Sequence, residues 1–146
     1  IDALPHVDSE IFGALPHARL VAALGDPRDM LLNWLAFGSA QRFAVMPLKQ
    51  AATWLAEGIN LVLDLQQSAP ERVHLLRSDA LATDPLSALT EAAGFWALET
   101  PPTQFVAAQP GALAQHTEGR WRDYAVALAE PFAILAPVAA RLGYPD

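Results

Sequence analysis

Apolar and polar positions follow two rhythms along this chain. Ala18 to Leu24 is a short, nearly continuous apolar run. It is too short for an independent helix and reads as a buried strand. Gly25, Asp26 and Pro27 end it. Asp26 followed by Pro27 is a helix-start signal: the Asp side chain accepts from orphan N–H groups of a first turn, and proline has no N–H to lose there. A helix is predicted over Arg28 to about Phe37. Met30, Leu31, Trp34, Leu35 and Phe37 cover much of its circumference, the pattern of a largely buried helix. A second helix is predicted from Pro47 to about Gln67. Its Ala52, Leu55, Ile59, Val62 and Leu63 follow the helical period, while Glu57, Asn60 and Asp64 lie off that stripe. Ser68, Ala69 and Pro70 stop it.

The rhythm then repeats. Arg72 to Arg77 is a second strand candidate, followed by a loop. Thr83, Asp84 and Pro85 renew the helix-start signal, for a helix reaching Ala93 or Gly94. Ile1 to Pro16 reads as a loop with one short helix, Asp8 to Leu15, capped by Asp8 or Ser9. Thr100 to Glu118 holds Pro101, Pro102, Pro110 and Gly111 and is the longest irregular stretch. Arg120 to Leu142 is predicted helical, with Trp121, Tyr124, Leu128, Phe132, Leu135, Ala139 and Leu142 on one face. Pro131 and Pro137 are expected to kink or divide it, and Gly143 to end it. A strand that returns through helices implies a parallel α/β connection. Two strands make a poor sheet alone, so the chain is expected to lack strands that its fold normally has.

Composition narrows the classes. Of 146 residues, 53% are hydrophobic, yet no apolar run approaches the ~18 residues of a membrane span. There are no cysteines, which excludes disulfides, thiolate metal sites and a cysteine nucleophile. The net charge of −7 argues against a nucleic-acid binder, and Lys49 is the only lysine among the basic residues. Position 1 is Ile and no signal-type segment follows, so the chain is expected to begin inside a larger product or at a processed end, and to be cytoplasmic.

Three segments, in order, carry a resemblance. Leu15 to Trp34 (LPHARLVAALGDPRDMLLNW) resembles the "lfPdAriI…RDPRDvvlSw" strand–turn–helix of sulfotransferases. Arg72 to Leu98, with Arg77, Ser78, Asp79, Ala80 and Leu81 and then Asp84 and Pro85, resembles "vryEdLv.dP…l..flGl". Glu118 to Tyr124 (EGRWRDY), ending at Leu142, Gly143 and Tyr144, resembles "vGrWr.Y…l…lGY", the form found in sulfotransferase domains that follow tetratricopeptide repeats. The resemblance covers nearly the whole chain. It implies one domain over residues 1–146: the C-terminal part of a three-layer, parallel-sheet, P-loop NTPase-like α/β fold, helix-rich and without its N-terminal nucleotide-binding strand and loop.

It also implies a chemistry: transfer of sulfonate from 3′-phosphoadenosine 5′-phosphosulfate to a hydroxyl or amine of a small-molecule, carbohydrate or peptide acceptor. In the family the 5′-phosphosulfate sits on a P-loop-like turn, which is expected upstream of this chain. An Arg and a Ser in "RDPRDvvlS" hold the 3′-phosphate. An arginine fork suits a phosphate, and a helix start offers N–H groups and a positive dipole end. The matching positions here are Gly25 for the Arg and Asn33 for the Ser. Arg28 matches the second Arg of the motif. Arg120 and Arg122 offer the concentrated positive charge near the expected nucleotide. These five are the cofactor-binding candidates.

The departures are specific. The P-loop-like turn is absent, Gly25 stands for Arg, and Ser78-Asp79 stands for "YE". The "RKG"-like residues of cytosolic relatives fall near Ala114 and Gln115. The "KTHLP"-like loop corresponds to Ile1 to Pro5, where Ala3 takes the place of the His and His6 lies nearby. His6 is thus the one weak catalytic candidate, since an imidazole titrates near neutrality, but a loop histidine without a partner is more often an inert one. Asp26-Pro27 and Asp84-Pro85 read as caps, and Arg28 with Asp29 as tethering ion pairs. His74 alternates within its strand and reads as a surface or satisfied core residue, His17 and His116 have no partner in sequence, no metal-ligand spacing occurs, and no Ser-His-Asp set can be assembled. Two functions follow: a sulfotransferase whose other half lies upstream, or a degenerate, non-catalytic binding or structural module. A helical interaction domain is a third, weaker reading. Gly25→Arg is expected to raise nucleotide affinity where the site is otherwise intact. An open sheet edge is expected to be covered by the missing half or by a second copy.

Overall fold

The computed structural model describes residues 12, 14–37, 47–98 and 119–144. Two strands, β1 (Leu20–Leu24) and β2 (Val73–Arg77), pair in parallel in the register Leu20 with Val73 through Leu24 with Arg77. Between them run α1 (Pro27–Phe37) and α2 (Leu48–Ser68). After β2 come α3 (Ser78–Thr83), α4 (Pro85–Trp96), a 3₁₀ turn (Arg120–Tyr124) and α5 (Ala129–Arg141). The chain is therefore a helix-rich α/β protein built on a small parallel sheet.

Alternation assigns the sheet faces. Ala22, Leu24 and Val73 enter the core with Leu31, Leu55, Ile59, Val62, Phe132, Leu135 and Val138, supplied by α1, α2 and α5. The intervening residue His74 turns the other way and stacks on Phe95 of α4, with ring centroids 5.4 Å apart. Helices thus lie on both faces of the two strands. The α2–α5 packing puts Leu55, Ile59 and Val62 in one apolar cluster with Phe132, Leu135 and Val138. Its exposed border carries ion pairs of Arg141 with Asp64 and of Lys49 with Glu130, which solvent screens.

The caps form as their residue types dictate. The Asp84 side chain accepts from the Ser87 N–H at 3.0 Å, with Pro85 in the first turn. Asp26 accepts from the Arg28 N–H at 2.9 Å at the start of α1. Gly143, with φ 82°, ends α5 in a Schellman motif: Tyr144 N–H donates to Ala139 and Gly143 N–H to Ala140.

Four expectations are corrected. The segment after β2 is helical from Ser78, not a loop. Helix α4 passes Gly94 and reaches Trp96, and Ala97, at φ 56°, makes the left-handed turn that ends it. The last segment is not divided at a proline. Pro131 sits in the first turn of α5, where no intrahelical N–H is required, and Pro137 lies within the helix. The break falls earlier, between the 3₁₀ turn and Ala129, which leaves Tyr124 45% exposed and off the predicted stripe. Leu35 likewise faces outward, and its place in the core is taken by Leu32. The predicted helix at Asp8 to Leu15 and the irregular stretch from Thr100 to Glu118 lie largely outside the described residues.

Candidate functional site

Parallel pairing brings the carboxyl ends of β1 and β2 together, the end at which open α/β sheets take ligands. Gly25 and Ser78 are the residues that follow the last register pair. A Cβ on Gly25 would lie 3.3 Å from the Ser78 Cβ and collide with its Oγ. The space that a larger side chain at position 25 needs is taken by Ser78.

Next along the chain, Arg28 is buried at 1% exposure. Its Nε and Nη2 donate to the two carboxylate oxygens of Asp26 at 2.9 and 2.8 Å, and Nη2 also reaches the Tyr144 carbonyl at 3.3 Å. The guanidinium lies 3.8 Å from the ring centroid of Trp121. Arg28 is thus spent on an ion pair, an aromatic face and a backbone carbonyl. Asp29 accepts from the N–H groups of Gly119 at 2.6 Å and Trp121 at 2.8 Å. Burial pushes its carboxyl above the ordinary range; the two N–H donors oppose this, Asp26 adds to it, and Arg120 reduces it.

Arg120 and Arg122 flank Trp121 on the 3₁₀ turn. Arg120 is half-buried. Arg122 is exposed, with its guanidinium 4.8 Å from the Trp121 ring centroid. Gly119 precedes them at φ 81°, and the Arg122 guanidinium fills the space that a Cβ on Gly119 would need. The Trp121 ring meets Phe132 edge-on at 5.9 Å, and its buried Nε1 has no hydrogen-bond partner among the described residues. Asn33 is half-buried in the middle of α1. The fold therefore gathers Arg28, Arg120 and Arg122 around Trp121 and Asp29, sets Gly25 against Ser78, and leaves Asn33 elsewhere on α1. His6, Ala114 and Gln115 lie outside the described residues.

Arg77 shows the same economy. It grips Asp79 at 2.9 and 2.6 Å, donates to the Leu142 carbonyl, and lies 4.4 Å from the Tyr144 ring centroid. Its bonds hold the Asp79 carboxyl below the ordinary range. Arg28, Arg77 and Arg122 thus each meet an aromatic face of the chain itself, and Arg28 and Arg77 a carboxylate as well.

The amino ends of the strands form a concavity that the sequence pattern alone did not single out. Pro16, His17, Arg19, Glu71, Arg72, Trp96 and Ala97 line a cleft of about 750 Å³. Its signal was present: an arginine stands at the start of each strand, and parallel pairing makes them neighbours. Among the described residues, no group of three or more His, Asp or Glu side chains is placed to hold a metal ion, and no helix is long and apolar enough to cross a membrane. No protein-family profile, curated protein or solved structure matches this chain.

Proposed function

We propose that the chain is a sulfotransferase-like α/β module in which the remnants of a donor site have become structural braces, making it a non-catalytic binding or structural module. The observation that carries this reading is the buried ion pair of Arg28 with Asp26, closed by Trp121 and the Tyr144 carbonyl. A helix start takes phosphate when its N–H groups and positive end are open. Here Asp26 occupies that end of α1 and Asp29 adds a second carboxylate in the first turn.

The residues present do not fit 3′-phosphoadenosine 5′-phosphosulfate. The position that the resemblance assigns to a phosphate-binding arginine is Gly25, and the Ser78 hydroxyl stands beside it. Of the nearby guanidiniums, those of Arg28 and Arg77 are held by Asp26 and Asp79, and that of Arg122 lies over the Trp121 ring. To reach a phosphate, Arg28 would have to leave Asp26 buried and unpaired, a loss of several kcal/mol.

Calorimetry with adenosine 3′,5′-bisphosphate tests the reading. The expected result is no saturable heat and no rise in melting temperature at millimolar nucleotide. Micromolar binding would overturn it and favour a sulfonate-transferring protein with its phosphosulfate loop elsewhere in a longer chain.

A further inference from the structure

The cleft at the amino end of the sheet lies opposite the resemblance-derived site and is independent of the reading above. Three segments meet there because both strands start at that end and α4 finishes there. Pro16 to Arg19 leads into β1, Glu71 and Arg72 lead into β2, and Trp96 and Ala97 close α4.

Its two arginines are held in place yet keep donors. Arg72 donates through Nε to the Ala18 carbonyl at 3.2 Å and through Nη2 to the carbonyls of Phe12 and Leu15 at 2.7 and 2.6 Å, with its Cζ 3.8 Å from the Phe12 ring centroid. Arg19 donates through Nη1 to the Phe95 carbonyl and lies 5.7 Å from the Phe95 ring centroid. Among the described residues, Nη1 of Arg72 and Nε and Nη2 of Arg19 make no hydrogen bond. Among the described residues neither arginine is paired with a carboxylate, in contrast to Arg28 and Arg77. A fixed guanidinium with open donors is suited to an oxyanion, because the ordering cost has already been met by the fold.

Beside them Trp96 is 46% exposed, although it is among the largest apolar side chains of the molecule. The cleft volume lies within the usual range for small-molecule sites. Glu71 contributes one opposing carboxylate.

We propose that this cleft binds a small organic oxyanion carried on a planar ring, with the oxyanion on the open donors of Arg19 and Arg72 and the ring against Trp96. Glu71 then disfavours a second negative charge and sets a limit on ligand charge.

The test uses the whole chain with benzoate and benzenesulfonate, each singly charged, as probes and inorganic phosphate as control, followed by calorimetry and tryptophan fluorescence. Saturable binding of at least one ring-bearing probe, tighter than inorganic phosphate, is expected. Trp96→Ala and Arg19→Gln should each weaken it about tenfold. Glu71→Gln should tighten it a few-fold by removing the like charge. Circular dichroism of each variant confirms folding, and the exposed Trp96 and Glu71 positions keep the test valid if Arg19→Gln fails to fold. Absence of saturable binding of both probes at millimolar concentration overturns the proposal. So does binding that Trp96→Ala and Glu71→Gln leave unchanged.

Discussion

Asp29 binds the N–H groups of Gly119 and Trp121 through its two carboxylate oxygens, so one side chain near the start of α1 holds the turn that leads into α5. Charge-assisted bonds of this kind contribute about 1.5–3 kcal/mol each, and removing the acceptor strands two donors. Asp29→Ala should therefore lower unfolding free energy by about 3 kcal/mol in urea titrations. Asp29→Asn keeps one acceptor oxygen and should lose less.

Acid should distinguish Asp29 from Asp79. The Asp29 value is raised in the fold, chiefly by burial, so its stabilising contribution is complete below the unfolded value of 3.8 and is lost as pH rises through the folded value. The Asp79 value is lowered, chiefly by the Arg77 hydrogen bond, so its contribution is complete above 3.8 and is lost as pH falls through the folded value. The stability gap between the native chain and Asp29→Asn should widen on acidification toward 3.8, whereas the gap to Asp79→Asn should close below 3.8. Denaturant titrations from neutral pH downward would show both slopes; parallel curves would refute the assignment.

Arg28 and Asp26 form a pair with side chains 2% and 7% exposed. Truncating one partner leaves the other charge buried, so Arg28→Ala should cost about 3–5 kcal/mol. The double variant Asp26→Asn with Arg28→Met removes both charges and should recover much of that loss. Equal instability of the single and double variants would show that packing on Trp121, and not charge, dominates.

Gly25→Ala should destabilise by about 1–2 kcal/mol, since the new methyl group must displace the Ser78 hydroxyl. Ser78→Gly in the same chain should restore stability. Gly25→Arg should confer no affinity for adenosine 3′,5′-bisphosphate, measured by calorimetry, because the space and the surrounding charges are already committed.

Ala97 carries a left-handed backbone at φ 56° in the Schellman turn of α4, with its own N–H bonded to Gly94 and that of Leu98 to Ala93. A Cβ is disfavoured there by about 1 kcal/mol. Ala97→Gly should raise the melting temperature by a few degrees, read by differential scanning calorimetry.

Local chemistry alone determined much of this protein. Asp84 followed by Pro85 meant a helix start whatever surrounded it, because a carboxylate and a missing N–H answer needs of the first turn itself. The apolar period of α2 named Leu55, Ile59 and Val62 as core, and Gly143 marked an end that only a left-handed residue makes cheaply. Two parallel strands followed from the helices between them. Tertiary structure decided what no local pattern encodes. Ala97, not Gly94, ends α4, with Arg19 bonded to the Phe95 carbonyl. Tyr124 fell off its stripe because Arg120 to Tyr124 tightened into a 3₁₀ turn anchored by Asp29. Above all, arginines alike in sequence took different roles. Arg28 and Arg77 are closed by carboxylates and aromatic rings, while Arg19 and Arg72 keep open donors, because a guanidinium's availability depends on which groups the fold brings within hydrogen-bond reach.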